Sequence, residues 1–200
     1  MSKGLWLGLG LLGGVMLVAA LTFFRPYQLK GSAIDPPNPA PEIVLSSTHG
    51  GDYRLSAQKG KLVLIFFGFT SCPDVCPLTI SDMRQLRNRL AHRAENVDLV
   101  IITVDPARDT LERMANYLGA FDAAIIGLTG SEAELEAVWA SYGVWREIDP
   151  GATAAGYLVN HSTRMYLIDR NNRLRATYAF GTPVADIEAD LRYLMNERVQ

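Results

Sequence analysis

Two unbroken apolar runs, Lys61 to Phe67 (KLVLIFF) and Asp98 to Val104 (DLVIITV), constrain this chain more than any other feature. A strand with one wet face alternates apolar and polar residues. A run with no alternation is covered on both faces, the usual state of strands in a parallel sheet. Parallel neighbours need a crossover, and the intervening segment supplies one. Ile80, Met83, Leu86 and Leu90 recur at helical spacing, while Arg84, Arg87, Asn88 and Arg89 cover the opposite side. The core of the fold is therefore a strand-helix-strand unit.

The rest of the chain extends that unit. A hairpin is expected first, with Glu42 to Leu45 and Asp52 to Leu55 flanking Gly50-Gly51. A helix is expected over Thr110 to Leu118, opened by Asp109 and Glu112 at capping-box spacing. Another is expected over Ser131 to Tyr142, with Ser131 and Glu134 repeating the pattern and Leu135, Val138 and Tyr142 as its buried stripe. Strands over Met165 to Ile168 and Leu174 to Tyr178 follow, and a final helix buries Val184, Ile187, Leu191 and Leu194. The pattern predicts an α/β sandwich around a mixed sheet.

Leu5 to Phe24 is an uncharged stretch of 20 residues, long enough as a helix to span the ~30 Å hydrocarbon core of a bilayer. It ends Leu21-Thr22-Phe23-Phe24-Arg25, without the small-residue site at which a signal peptide is cleaved, which favours a retained anchor. Basic residues flank it on both sides, so charge does not fix its orientation. Gly31 to Pro41 (GSAIDPPNPAP) reads as an extended, proline-rich tether. The expected organisation is an anchor over 1–25, a linker over 26–41 and one folded domain over 42–200. A net charge of −2 offers no basic surface for nucleic acid.

Cys72 and Cys76 are the only cysteines, in the run Gly68-Phe69-Thr70-Ser71-Cys72-Pro73-Asp74-Val75-Cys76-Pro77 between the first strand and its helix. Thiolates are soft, nucleophilic and redox-active, so the pair can hold a soft metal ion, close a small disulfide, or do both in turn. Pro77 suits a first helical turn, which puts Cys76 near the positive end of a helix dipole and predicts two easily ionised thiols. Asp105 ends an apolar strand, the usual address of functional groups in α/β sheets, and is equally suited to an ion pair with Arg108. Asp109 reads as a helix cap, His49 and His92 as exposed, and Met165 and Trp139 as core.

The cysteine run, followed by Thr103-Val104-Asp105-Pro106-Ala107-Arg108-Asp109-Thr110, Gly127-Leu128-Thr129-Gly130 and Val159-Asn160-His161-Ser162, resembles the Sco/SenC family over the whole predicted domain. That resemblance implies a thioredoxin-like fold on one membrane anchor, facing the periplasm or an equivalent extracytoplasmic space. It implies copper binding for assembly of the binuclear copper centre of cytochrome c oxidase. The partners implied are the copper-bearing oxidase subunit and other copper chaperones. Carried onto this chain, the implied ligands are Cys72, Cys76 and His161. Asn160 and Leu111 stand where the family often has Asp and Pro. The short N-terminus lacks the Arg- and Ser-rich character of a transit peptide, which favours a bacterial setting.

The residue chemistry is compatible with this reading. Two thiolates select Cu(I), and one imidazole added to them permits Cu(II) as well. A structural zinc site would need a fourth ligand from a carboxylate or water. The main competitor is a membrane-anchored thiol-disulfide oxidoreductase, although the Cys-x-x-x-Cys spacing is one residue wider than the thioredoxin motif. A peroxidase would require an arginine beside Thr70, which the sequence alone does not identify.

Overall fold

The computed structural model describes residues 27–153 and 156–197. Among these residues ten strands and four α-helices follow the expected alternation: β1 Ser32–Pro39, β2 Val44–Ser47, β3 Asp52–Arg54, β4 Leu62–Gly68, α1 Val75–Leu90, β5 Val97–Thr103, α2 Leu111–Gly119, β6 Ile126–Thr129, α3 Glu132–Ser141, β7 Arg146–Thr153, β8 Gly156–His161, β9 Met165–Ile168, β10 Arg173–Tyr178 and α4 Val184–Asn196. Eight strands form one mixed sheet in the order β1-β10-β9-β4-β5-β6-β2-β3, and β7 pairs with β8 in a separate ribbon.

The continuous runs behave as their pattern requires. Every residue of β4 and β5 is buried, and the two pair in parallel from Leu62↔Val97 to Gly68↔Thr103. On its other side β4 pairs antiparallel with β9, Phe66 opposite Met165. The buried side of α1 is Cys76, Thr79, Ile80, Met83, Leu86 and Leu90, which extends the predicted stripe back to a cysteine. The capping box on α3 forms in full, with Ser131 and Glu134 exchanging hydrogen bonds. Met165 and Trp139 lie in the core, and His49 and His92 are exposed.

Several expectations are corrected. The proline-rich segment is not a free tether, because Ser32–Pro39 is the edge strand β1, paired antiparallel with β10. Its register shifts between Ala33 and Asn38, so the pairing skips Pro36 and Pro37, and edge positions and bulges are where a sheet tolerates residues without an N–H. The folded unit already includes Tyr27 and Lys30, both bonded to Asp190, ahead of the expected start at Glu42. The first hairpin is displaced to Val44–Ser47 and Asp52–Arg54. Asp109 does not cap α2; Thr110 does, its hydroxyl accepting from the Arg113 N–H. No helix among the described residues is long and apolar enough to cross a membrane, and the predicted anchor lies outside them.

Candidate metal centre

The centre lies at the carboxyl end of β4, where the chain leaves the sheet toward α1. Gly68, the last residue of β4, makes room for it. A side chain there would start 2.7 Å from the Phe66 ring and 3.1 Å from the Cys76 sulfur. With no Cβ at that point, Cys76 can sit flush against the strand end, 1% exposed.

Cys72 is half-buried, and both thiols are free. Its sulfur accepts the backbone N–H of Cys76 at 3.4 Å. The α1 N-cap residue, Asp74, makes no side-chain cap, so this sulfur takes the place an N-cap oxygen would fill. The two thiols therefore separate in acidity. A hydrogen bond from the Cys76 thiol lowers the Cys72 pKa to about 6, helped by backbone N–H groups of the first turn and opposed by desolvation. The same bond, together with burial, pushes Cys76 well above the ordinary thiol value. The expectation of two easily ionised thiols is thus corrected to one, Cys72, while burial keeps Cys76 in its thiol form. A thiolate at Cys72 lies beside the helix N-terminus, which favours its charge.

His161 arrives from the opposite side, at the end of β8. Its Nδ1 lies 2.8 Å from the Ser162 carbonyl oxygen, which can only accept, so Nδ1 carries the proton. Nε2 is left with its lone pair and sits 4.0 Å from the Cys76 sulfur. Burial lowers the His161 pKa, with the Ser162 hydrogen bond acting in the other direction. The ring meets Phe66 and Phe69 edge-on, with centroids 6.2 and 5.8 Å away. A neutral imidazole in a fixed tautomer is the form in which histidine ligates metals.

The turn after β5 braces both sides. Asp109, fully buried, accepts from the Thr70 hydroxyl at 2.6 Å, the Thr70 N–H at 3.1 Å and the Thr103 hydroxyl at 2.7 Å. Burial raises its pKa against those hydrogen bonds. Arg113 donates to the Thr70 and Ser71 hydroxyls at 2.7 and 2.9 Å, so the arginine that the sequence left unidentified is Arg113. Asp105, also fully buried, pairs with Arg108 and accepts from the Tyr157 hydroxyl at 2.7 Å. Arg108 donates in turn to the Tyr157 carbonyl at 3.0 Å and covers its ring at 3.8 Å. Asp109 thus holds the cysteine loop, and Asp105 holds the ribbon that carries His161.

Cys72, Cys76 and His161 therefore converge in series. Among the described residues no three His, Cys, Asp or Glu side chains are already gathered tightly enough to hold a metal ion. The donor set nonetheless suits a soft ion: two sulfurs and one imidazole nitrogen with a free lone pair. Closing it requires the three donors to draw together and the Cys76 thiol to lose its proton.

Comparison with known proteins decides the family. The SCO1/SenC profile matches residues 34–196. The chain belongs to the SCO1/SenC family. A SCO2-like protein of Rickettsia felis is 36% identical over 146 residues, which are 67% of this chain and 71% of that protein. The human mitochondrial SCO1 homolog is 38% identical over 125 residues, 61% of this chain and 42% of the human protein. Copper-bound ScoI of Bradyrhizobium japonicum superposes with a TM-score of 0.72 at 34% identity, covering 78% of this chain and 98% of that one. Apo Sco1 of Thermus thermophilus gives 0.74 at 30% identity over 84% and 98%. The eight-stranded sheet and flanking helices of this SCO1/SenC member are thus the thioredoxin-like fold of the solved Sco structures.

Proposed function

We propose that this protein carries copper on Cys72, Cys76 and His161 and hands it to the binuclear copper centre of cytochrome c oxidase during assembly. The observation that carries the reading is the approach of the His161 Nε2 lone pair to within 4.0 Å of the Cys76 sulfur, with the opposite nitrogen tied to a carbonyl. Copper-bound Sco structures of the same fold support it. Copper is cargo here, and the residues supply the chemistry of capture and release. Cys72 offers a thiolate at neutral pH, Cys76 releases a proton as its sulfur is engaged, and His161 donates from Nε2. Protons compete at each of the three atoms, so affinity falls in acid.

Leu5 to Phe24 anchors the chain in the cytoplasmic membrane as a single span, with the folded domain in the periplasm. The partners are the copper-bearing oxidase subunit and other copper chaperones. The test is competition for Cu(I) against a chromogenic chelator, using reduced protein and Cys72→Ser. One tightly held copper per chain, released in the variant, is expected; equal affinity in both would sink the two-thiolate reading.

One observation favours a second activity for the same atoms. A thiol of pKa about 6 beside a protonated, buried partner is suited to exchange with a protein disulfide. The Cys72 thiolate would attack one sulfur of that disulfide and expel the other as thiolate. Cys76 would then attack Cys72, closing the Cys72–Cys76 disulfide and leaving the partner as a dithiol.

A further inference from the structure

The end of the sheet opposite the cysteines carries a pocket that the metal centre does not use. It encloses about 260 Å³ and is lined by Gly60, Arg93, Asn96, Arg170, Met195 and Asn196. Four separate segments supply these residues: the turn before β4, the 3₁₀ turn Ala91–Asn96 after α1, the β9–β10 turn and the last turn of α4. The Gly60 N–H donates to the Arg170 carbonyl at 2.9 Å, which ties two of them together. From Leu62, two residues after Gly60, β4 runs to Gly68 beside the cysteines, ~20 Å at strand rise. The pocket and the metal centre are therefore distinct sites.

Charge in the pocket is one-sided. Arg93 and Arg170 are both half-buried. Arg87, Arg89, Arg173 and Arg175, close to them in the chain, each meet a carboxylate. Among the described residues Arg93 and Arg170 form no such pair. Arg170 instead donates through Nη1 to the Met195 carbonyl at 2.8 Å, and its Nε is buried without a partner. The carboxylates that adjoin the pocket in sequence are engaged elsewhere. Asp169 holds Arg173 and Arg175, Glu197 holds Arg175, and Glu95 lines a different pocket with Lys61 and Asp98. Two guanidiniums thus share a partly desolvated space with nothing to offset their burial or their mutual repulsion. A bound anion would relieve both.

The donors also select among anions. One guanidinium fork satisfies both oxygens of a carboxylate. A phosphate group presents further oxygens, enough for a second fork and for the amides of Asn96 and Asn196. The helix end does not oppose this, because Arg170 covers the Met195 carbonyl and neutralises the negative end of α4. We propose that this pocket binds a phosphate group between the guanidiniums of Arg93 and Arg170, at a site independent of copper. A soluble phosphate and the phosphodiester of an anionic lipid headgroup offer the same oxygen chemistry, and they differ in charge and size.

The test uses the full chain in an uncharged detergent, at constant ionic strength so that general screening does not change. Inorganic phosphate and glycerophosphoglycerol, the headgroup of phosphatidylglycerol without its acyl chains, are titrated separately. Amide NMR signals of Gly60 and Asn96 report the pocket, and that of Cys76 reports the metal end. For at least one ligand a single saturating isotherm is expected, with a dissociation constant of about 1 mM or tighter and the Cys76 signal unmoved. The ligand that binds more tightly identifies the source. Arg93→Ala should weaken binding at least about tenfold, since it removes a charge-assisted contact, and it breaks no ion pair of the fold. Arg93→Glu should abolish binding, because the introduced carboxylate pairs with Arg170. No saturation with either ligand, the same affinity in Arg93→Ala, or a response at Cys76 equal to that at Gly60 would overturn the proposal.

Discussion

The cysteines and the histidine are carried by unlike parts of the molecule. Cys72 and Cys76 follow β4, which is buried along its whole length between β5 and β9, and they sit against the first turn of a 16-residue helix. His161 closes a two-stranded ribbon that pairs with no other strand among the described residues and exposes Ile148 and neighbouring Trp145. An isolated ribbon of two strands is marginal in water. This one is fastened by Val159, which is buried in the core, and by polar links: Tyr157 and Arg108 to Asp105, and Arg146 to the Val104 carbonyl and to Glu132. The cysteine half is thus fixed by the hydrophobic core, and the histidine half by a single core residue, Val159, and polar links to the end of the sheet. A carrier must grip an ion and also let it go, and this division allows one ligand to withdraw while two stay in place.

The largest effect should come from the rigid half. Cys76→Ser should weaken Cu(I) binding by more than about a hundredfold, beyond what loss of an outer-shell partner costs, whereas His161→Ala should retain most Cu(I) affinity and lose its Cu(II) spectrum. Chelator competition and visible absorption read the two, and equal losses in both variants would erase the distinction between the halves. Next, Asp109→Ala should destabilise the domain by about 2 kcal/mol in urea unfolding, since it strands the buried hydroxyl of Thr103 and weakens the hold on the half-buried Thr70 hydroxyl and N–H. A change below about 1 kcal/mol would mean that water replaces the carboxylate.

A smaller effect separates the thiols. With the Cys72 pKa near 6, the thiolate is the major form at pH 7, and its fraction falls about tenfold by pH 5. Iodoacetamide should therefore modify Cys72 with that pH dependence and leave Cys76 untouched, as read by peptide mass spectrometry. Modification of Cys76 first would reverse the assignment. The smallest effect belongs to the ribbon: Tyr157→Phe should cost about 1 kcal/mol. It should speed hydrogen exchange in β7 and β8 and leave β4 and β5 unchanged. Uniform acceleration across both would show that the ribbon does not open independently.

Legibility in the sequence follows the same division. β4, α1 and β5 could be read because burial on both faces and helical spacing are written in neighbouring residues. β1 was obscured because prolines do block pairing locally, and only the edge position and the register shift around Pro36 and Pro37 make room for them. The β7–β8 ribbon left no pattern to read; Pro150 and Gly151 interrupt it, and its stability comes from residues far away in sequence. Asp109 was misjudged for a related reason. Its spacing to Glu112 mimics a cap, but the neighbouring hydroxyl of Thr110 caps the helix, and the carboxylate turns inward to Thr70 and Thr103, contacts that no short window reveals. His161 had no local signal, and only the resemblance to a family singled it out.

The central claim is that one copper ion binds both sulfurs and the imidazole together. X-ray absorption at the copper edge of the loaded protein tests it most directly, with His161→Ala beside it. Two sulfur neighbours and one imidazole, the imidazole vanishing in the variant, is the predicted result. A single sulfur, or an imidazole signal that survives in His161→Ala, would contradict the account.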